Sequence, residues 1–132
     1  MWQAIDNAAS LVQPGGMLFL ALYNRHWTSP AWTVVKYCYV RAPAWLQKVI
    51  VTAFYPVILA AKWAVTGRNP MVMDRGMDFY YNVVDWVGGY PYEYATRAEV
   101  IHYLEARKFA LRISAPADVP TGCNEYVFVR QE

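Results

Sequence analysis

Apolar residues recur at helical spacing at the start of the chain. Trp2, Ile5, Ala9 and Val12 share one face and predict a helix over residues 2–12. Pro14-Gly15-Gly16 stops that helix and supplies a turn. Residues 17–23, MLFLALY, are then nearly all apolar, the pattern of a strand covered on both faces. Ser29-Pro30 opens a second helix, with Ser29 as N-cap and Pro30 at the first helical position. It ends near Ala42, because a residue before proline is pushed away from helical geometry. Pro43 opens a longer helix that ends near Gly67, with Pro56 as an internal kink. Lys48, Thr52, Tyr55, Lys62 and Thr66 form its narrow, more polar stripe.

The second half has a different texture. Gly88-Gly89 and Pro91 mark an ordered loop within DWVGGYPYEYA. Thr96-Arg97-Ala98-Glu99 is a capping-box pattern, and the helix it opens runs through Val100, Ile101 and Leu104 to the cations Arg107 and Lys108. Residues 109–115 and 124–130 predict two strands. The second alternates, with Tyr126, Phe128 and Arg130 opposite Val127 and Val129. The turn-rich APADVPTGC between them predicts an antiparallel pair.

With 132 residues the chain suffices for one compact domain. A composition 57% hydrophobic and 17% aromatic excludes disorder. The net charge of +2 is too small to imply nucleic acid. Cys38 and Cys123 are far apart and form no CxxC, which argues against a metal site or a disulfide framework. They read as reduced thiols, and with no signal-peptide pattern the expected location is the cytoplasm. The charges are unevenly placed. No Asp or Glu stands between Asp6 and Asp74, a stretch that holds Arg25, Lys36, Arg41, Lys48, Lys62 and Arg68.

The helix, PGG turn and apolar strand of residues 2–24 resemble the late part of the class I S-adenosylmethionine-dependent methyltransferase core, where an apolar helix, a PGG turn and the fifth sheet strand follow one another. DWVGGYPYEYA, a capped helix, ARKFALRI and GCNEYVFVR are similar to bacterial members with a helical insertion after that strand. The resemblance covers nearly the whole chain. It implies an α/β fold: a partial Rossmann-like methyltransferase fold, with a short mixed sheet and a helical insertion over residues 26–70 in one domain spanning 1–132. The family binds S-adenosylmethionine through a glycine-rich loop after its first strand and an acidic residue ending its second. Neither has a counterpart here. Gly15-Gly16 precedes a strand, whereas such a loop follows one and opens a helix. The expectation is therefore the C-terminal part of a methyltransferase acting on a small-molecule acceptor. These residues alone would bind no cofactor and be inactive. The apolar strand would also expose an edge, favouring self-association or a complementing N-terminal half.

Candidate acceptor-side residues are Tyr23 and Asn24, which end the apolar strand where ligands of open α/β sheets bind. Asn24 serves equally as a cap of the strand end. Asp85, Trp86, Tyr90 and Glu93 combine carboxylates, aromatics and close-approach glycines suited to a polar or cyclic substrate. Asp85 or Glu93 would position or deprotonate an acceptor hydroxyl. The structural alternative is a loop pinned by Trp86 and Tyr90, with Asp85 accepting backbone hydrogen bonds. His102, three residues from both Glu99 and Glu105, reads as part of a solvated face. His26 is a weak candidate, and Cys123 reads as a packed thiol. No residue is assigned as catalytic.

Residues 49–61 carry no charge, are flanked by Lys48 and Lys62, and have Trp45 and Trp63 near their ends. The run is shorter than the ~20 residues of a spanning helix. It reads either as a buried cap over an active site or as a helix pair lying on a membrane surface or binding a lipid substrate. The rival function is accordingly a non-enzymatic membrane-surface or partner-binding module built on residues 30–66.

Overall fold

The computed structural model describes residues 1–72, 78–119 and 121–132; Asp74 at the end of the acid-free stretch and Pro120 of the last turn lie outside them. The protein is mixed α/β, with five helices and one four-stranded mixed sheet among the described residues. The chain packs as two compact units. One joins Met1–His26 to Glu93–Glu132, and the other is Trp27–Tyr92.

The sheet unit contains α1 (Trp2–Ser10), β1 (Met17–Asn24), β2 (Tyr94–Ala95), α5 (Arg97–Glu105), β3 (Phe109–Ala115) and β4 (Cys123–Arg130). The strand order is β2-β1-β4-β3. β4 runs antiparallel to both β1 and β3, and β2 pairs parallel to β1 at Tyr23 and Asn24. Helix α1 ends two residues earlier than its apolar spacing suggests. Gly15, at a φ of 78°, then supplies the left-handed turn residue. At Gly16 a Cβ would lie 2.8 Å from the Gln13 carbonyl, so the turn closes only on glycine. Arg130 locks this corner: its Nη1 donates to the Val12 carbonyl at 2.6 Å, near the end of α1.

The core lies on one side of the sheet. Ile5 and Ala9 of α1, with Val100 and Leu104 of α5, pack on Leu18, Phe109, Tyr126 and Phe128. The capping box forms as the sequence predicts: Thr96 Oγ1 accepts from the Glu99 amide, and the Glu99 carboxylate accepts from the Thr96 amide at 2.8 Å. Asp6 ties the two helices together, accepting from Arg107 at 2.6 Å and from Tyr103 at 2.8 Å. The Arg107 hydrogen bond holds its carboxyl below the ordinary aspartate value.

The other side of the sheet corrects the expectation for β1. The strand is covered on one face only: Leu18 is buried, while Met17 is 73% and Phe19 60% exposed. Ile113 of β3 is exposed too, and Val127 and Val129 are half-buried. The edge of β1 is not wholly open either. On the flank away from β4, β2 pairs with its last two residues, and no described strand pairs with residues 17–22.

The helical unit contains α2 (Ser29–Arg41), α3 (Ala44–Thr66) and α4 (Phe79–Gly88). α2 starts with Thr28 as N-cap, one residue before the expected Ser29, and ends at Ala42 ahead of Pro43. Gln47 bridges the corner, its side-chain amide donating to the carbonyls of Tyr39 and Ala42 at 3.1 Å. α3 runs continuously through Pro56 and stops at Gly67, whose φ of 65° makes the left-handed cap. α4 was not expected from the sequence. Asp78 caps its start by accepting from the amides of Tyr80 and Tyr81, and Phe79, Val83 and Val87 bury its inner face against Val51 and Ile58 of α3.

α2 comes close to α4 at Gly88, where a Cβ would stand 2.8 Å from a ring carbon of Tyr39. Gly88→Ala should therefore destabilise the chain by about 1–2 kcal/mol, overpacking outweighing the small gain in helix propensity. Urea unfolding checks this, and the loss should shrink in a Tyr39→Leu background. A wild-type midpoint for Gly88→Ala would show that the ring gives way freely.

Candidate functional site

The expected acceptor residues divide between the units. Tyr23, Asn24 and Glu93 belong to the sheet unit, and Asp85, Trp86 and Tyr90 to the helical one. Within the sheet unit, alternation along β1 sends neighbouring side chains to opposite faces, so Tyr23 and Asn24 do not converge. Tyr23 sits on the bare face in register with Cys123, which is exposed rather than packed. Asn24 shares the face of Leu18 and enters a buried polar cluster. Asn124 Nδ2 donates to Asn24 Oδ1 and to the Tyr126 hydroxyl, both at 3.1 Å, while Asn124 Oδ1 accepts from the Ala117 amide at 3.0 Å. The Asn24 amide donates to the Gly122 carbonyl at 2.9 Å. Asn24 and Asn124 thus close the turn between β3 and β4 onto the end of β1. Glu93 is exposed and forms an ion pair with the amino group of Met1 at 2.5 Å.

In the helical unit, Asp85 and Trp86 lie on α4 and not in a loop; the loop begins at Gly89. Asp85 is exposed. The Trp86 ring meets Trp32 edge-on at 5.9 Å. Tyr90 meets Tyr37 edge-on at 5.7 Å and keeps much of its surface in solvent. Trp86 therefore packs from a helix, where the structural alternative expected a pinned loop, and Asp85 stands exposed on that helix.

The group that sequence reasoning missed is Lys36. It is only 3% exposed. Its ammonium donates to the Trp86 carbonyl in the last turn of α4 and lies 5.0 Å from the centre of the Tyr92 ring. No basic residue stands in the last turn of α4, so this lysine supplies the cation its carbonyl end favours. Burial lowers the ammonium from 10.5 to about 8, and the charge of Asp85 partly opposes that shift. A group titrating near 8 suits acid–base work. Its burial and its bond to a backbone carbonyl assign it to holding α4. The signal was present in the sequence: Lys36 falls on the apolar α2 face of Trp32, Val35 and Tyr39, at spacings of four, one and three.

Lys62 plays a matching part from α3. Its ammonium donates to Asn82 Oδ1 at 2.7 Å and lies within 6 Å of the Phe79 and Trp86 ring centres. Burial lowers its pKa also. Two of the six cations in the acid-free stretch are thus anchors for α4, not surface charges.

Among the described residues no cluster of His, Cys, Asp and Glu could hold a metal. His102 lies on an exposed helix face, as its spacing predicts. Neither a family model, nor a curated protein, nor a solved structure matches this chain.

The buried lysine makes stability depend on alkaline pH. The folded chain releases the Lys36 proton near pH 8, whereas the unfolded chain holds it to about 10.5. The unfolded state binds more protons between these values, so unfolding free energy should rise with pH there. Denaturant midpoints from about pH 8 to 9.5, below the bulk of tyrosine ionisation, should climb in the wild type and flatten in Lys36→Met. Parallel profiles for the two proteins would remove Lys36 as the cause.

Proposed function

We propose that this chain forms the acceptor side of a class I S-adenosylmethionine-dependent methyltransferase acting on a small-molecule acceptor, with the methyl donor held by strands other than these four. One observation carries the reading. The sheet has a single covered face, and its bare face is apolar along β1, with Met17, Phe19 and Ile113 exposed and the carboxylate of Glu125 towards the β4 start. A sheet built to meet water on one side alternates apolar with polar residues. β1 does not: its outward positions are Met17, Phe19, Ala21 and Tyr23. An apolar outer face beside an incompletely paired flank is what part of a doubly wound sheet presents when further strands and helices belong beside it. Apart from the two-residue β2, the chain order of strand, helical segment, helix, strand and strand is the one the resemblance implies.

On this reading these residues would not bind S-adenosylmethionine by themselves. Gly15-Gly16 turns into β1 against Gln13 and Val12 and opens no helix. The contribution of this chain would be to orient the acceptor. Tyr23, on the bare face at the carboxyl end of β1, is placed to meet one; Asn24, held by Asn124, is a positioning residue.

Two measurements test the reading. Calorimetric titration of the 132-residue chain with S-adenosylmethionine should show no site tighter than about 100 µM, roughly 5.5 kcal/mol; a tighter one would mean the donor site is already here. Sedimentation at tens of micromolar should show self-association, which Phe19→Lys reduces. A monodisperse monomer with slow amide exchange along residues 17–22 would mean that the sheet needs no further partner.

A further inference from the structure

We infer that the outward face of α3 is a lipid-docking surface on which the helical unit lies flat against an anionic bilayer. The inference is independent of the methyltransferase reading. α3 is a 23-residue helix, and only 11% of its most apolar 18-residue stretch is buried. The expectation of a buried cap is not met within this chain. Its inward positions, Val51, Phe54, Tyr55 and Ile58, pack against the rest of the unit, and Lys62 anchors α4. Its outward positions, Trp45, Val49, Ala53, Pro56, Ala60 and Trp63, are all exposed. At 3.6 residues per turn these six share an arc of about 80° and extend ~27 Å along the axis. None is charged. Monomers in water rarely leave so long an apolar strip uncovered.

Charge identifies the occupant. α2 and α3 contain no Asp or Glu. With Lys36 and Lys62 bound to α4, the cations facing solvent are Arg41 at the end of α2, Lys48 in the first turns of α3 and Arg68 just beyond its end. Basic groups at both ends of an uncharged strip match anionic headgroups. Trp45 and Trp63, at opposite ends of the same face, suit the headgroup level. A second copy would set like charges against one another.

The helix is long enough to cross a bilayer, but the packing places it on the surface. Its inner side is occupied by α4, which carries Asp85 and starts at Asp78, both exposed, and the Lys62–Asn82 bond lies between the two helices. Crossing would carry these charges into hydrocarbon. Lying flat, α3 immerses only its outward arc, by about 5–10 Å.

The test is flotation of the 132-residue chain with vesicles of phosphatidylcholine, alone or mixed with phosphatidylglycerol. The mixed vesicles should capture it, and salt should weaken capture. Ala53→Glu and Val49→Asp, both at exposed positions, should lower the partition coefficient by about tenfold or more. Lys48→Gln and Arg68→Gln should each lower it by about fivefold and flatten the salt dependence. Gln3→Ala, at an exposed position of α1 on the sheet unit, should leave capture unchanged. Circular dichroism separates lost folding from lost docking. Independently of stability, brominated lipid should quench wild-type tryptophan fluorescence, and less so after Trp45→Phe or Trp63→Phe. Four results would overturn the inference: no capture by either vesicle, equal capture of Ala53→Glu with native helicity, equal capture by neutral and anionic vesicles at every salt concentration, or an Ala53→Glu effect on self-association alone.

Discussion

The antiparallel pairing of β1 with β4 decides the rest of the sheet unit. Its register, from Met17 opposite Val129 to Tyr23 opposite Cys123, puts Leu18 beside Phe128 and Leu20 beside Tyr126 on the face that α1 and α5 cover. It also brings Asn124 within reach of Asn24. A slip of one residue would turn Phe19 and Met17 inward and Leu18 out, so the whole core depends on that count. The PGG turn guards the count at one end, where the Gly15 amide bonds the Arg130 carbonyl and the Arg130 amide bonds the Gly16 carbonyl. The asparagine cluster guards it at the other.

The helical unit is organised differently, around a short helix held by cations. α4 has ten residues, below the length at which an isolated helix persists in water. Asp78 satisfies its amide end, Lys36 its carbonyl end, and Lys62 its side. Each lysine lays an aliphatic stem through apolar surroundings before its ammonium reaches an oxygen. The lowered pKa values of both record the cost of that burial. The basic residues of the acid-free stretch therefore serve two ends, some inward and structural, others outward at the ends of an apolar face.

What could be read from the sequence was local. Helix limits at Ala42, Pro43 and Gly67 follow from proline and glycine stereochemistry, and the Thr96–Glu99 box from spacing alone. The antiparallel β3–β4 pair was legible from alternation and turn residues. β2 was not, since two residues carry no period. α4 was missed because FYYNVVDWVG is rich in β-branched and aromatic residues of modest helix propensity, and its fixing contacts come from lysines 20 and 50 positions away. The candidate site fared as its chemistry suggests. Asn24 and Trp86 proved to be held by neighbours, and no local signal says that Asn124 completes the cluster. The resemblance implied that Leu18, Leu20 and Leu22, or else Phe19, would be partly bare, but not which set, because an apolar run reads alike whichever face is packed; Phe19 is the exposed one.

The β1–β4 pairing has a consequence in time. Asn24 and Asn124 are 100 positions apart, with the helical unit between them. At about 5–20 residues per second of synthesis, β1 leaves the ribosome roughly 5–20 s before its partner exists. Helices form in microseconds, so the unit of α2, α3 and α4 can close first and bring the two ends of the sheet sequence together. Throughout that interval MLFLALYN is an unpaired apolar strand. For several seconds of each molecule's life it is a natural client for a chaperone that shields extended hydrophobic segments.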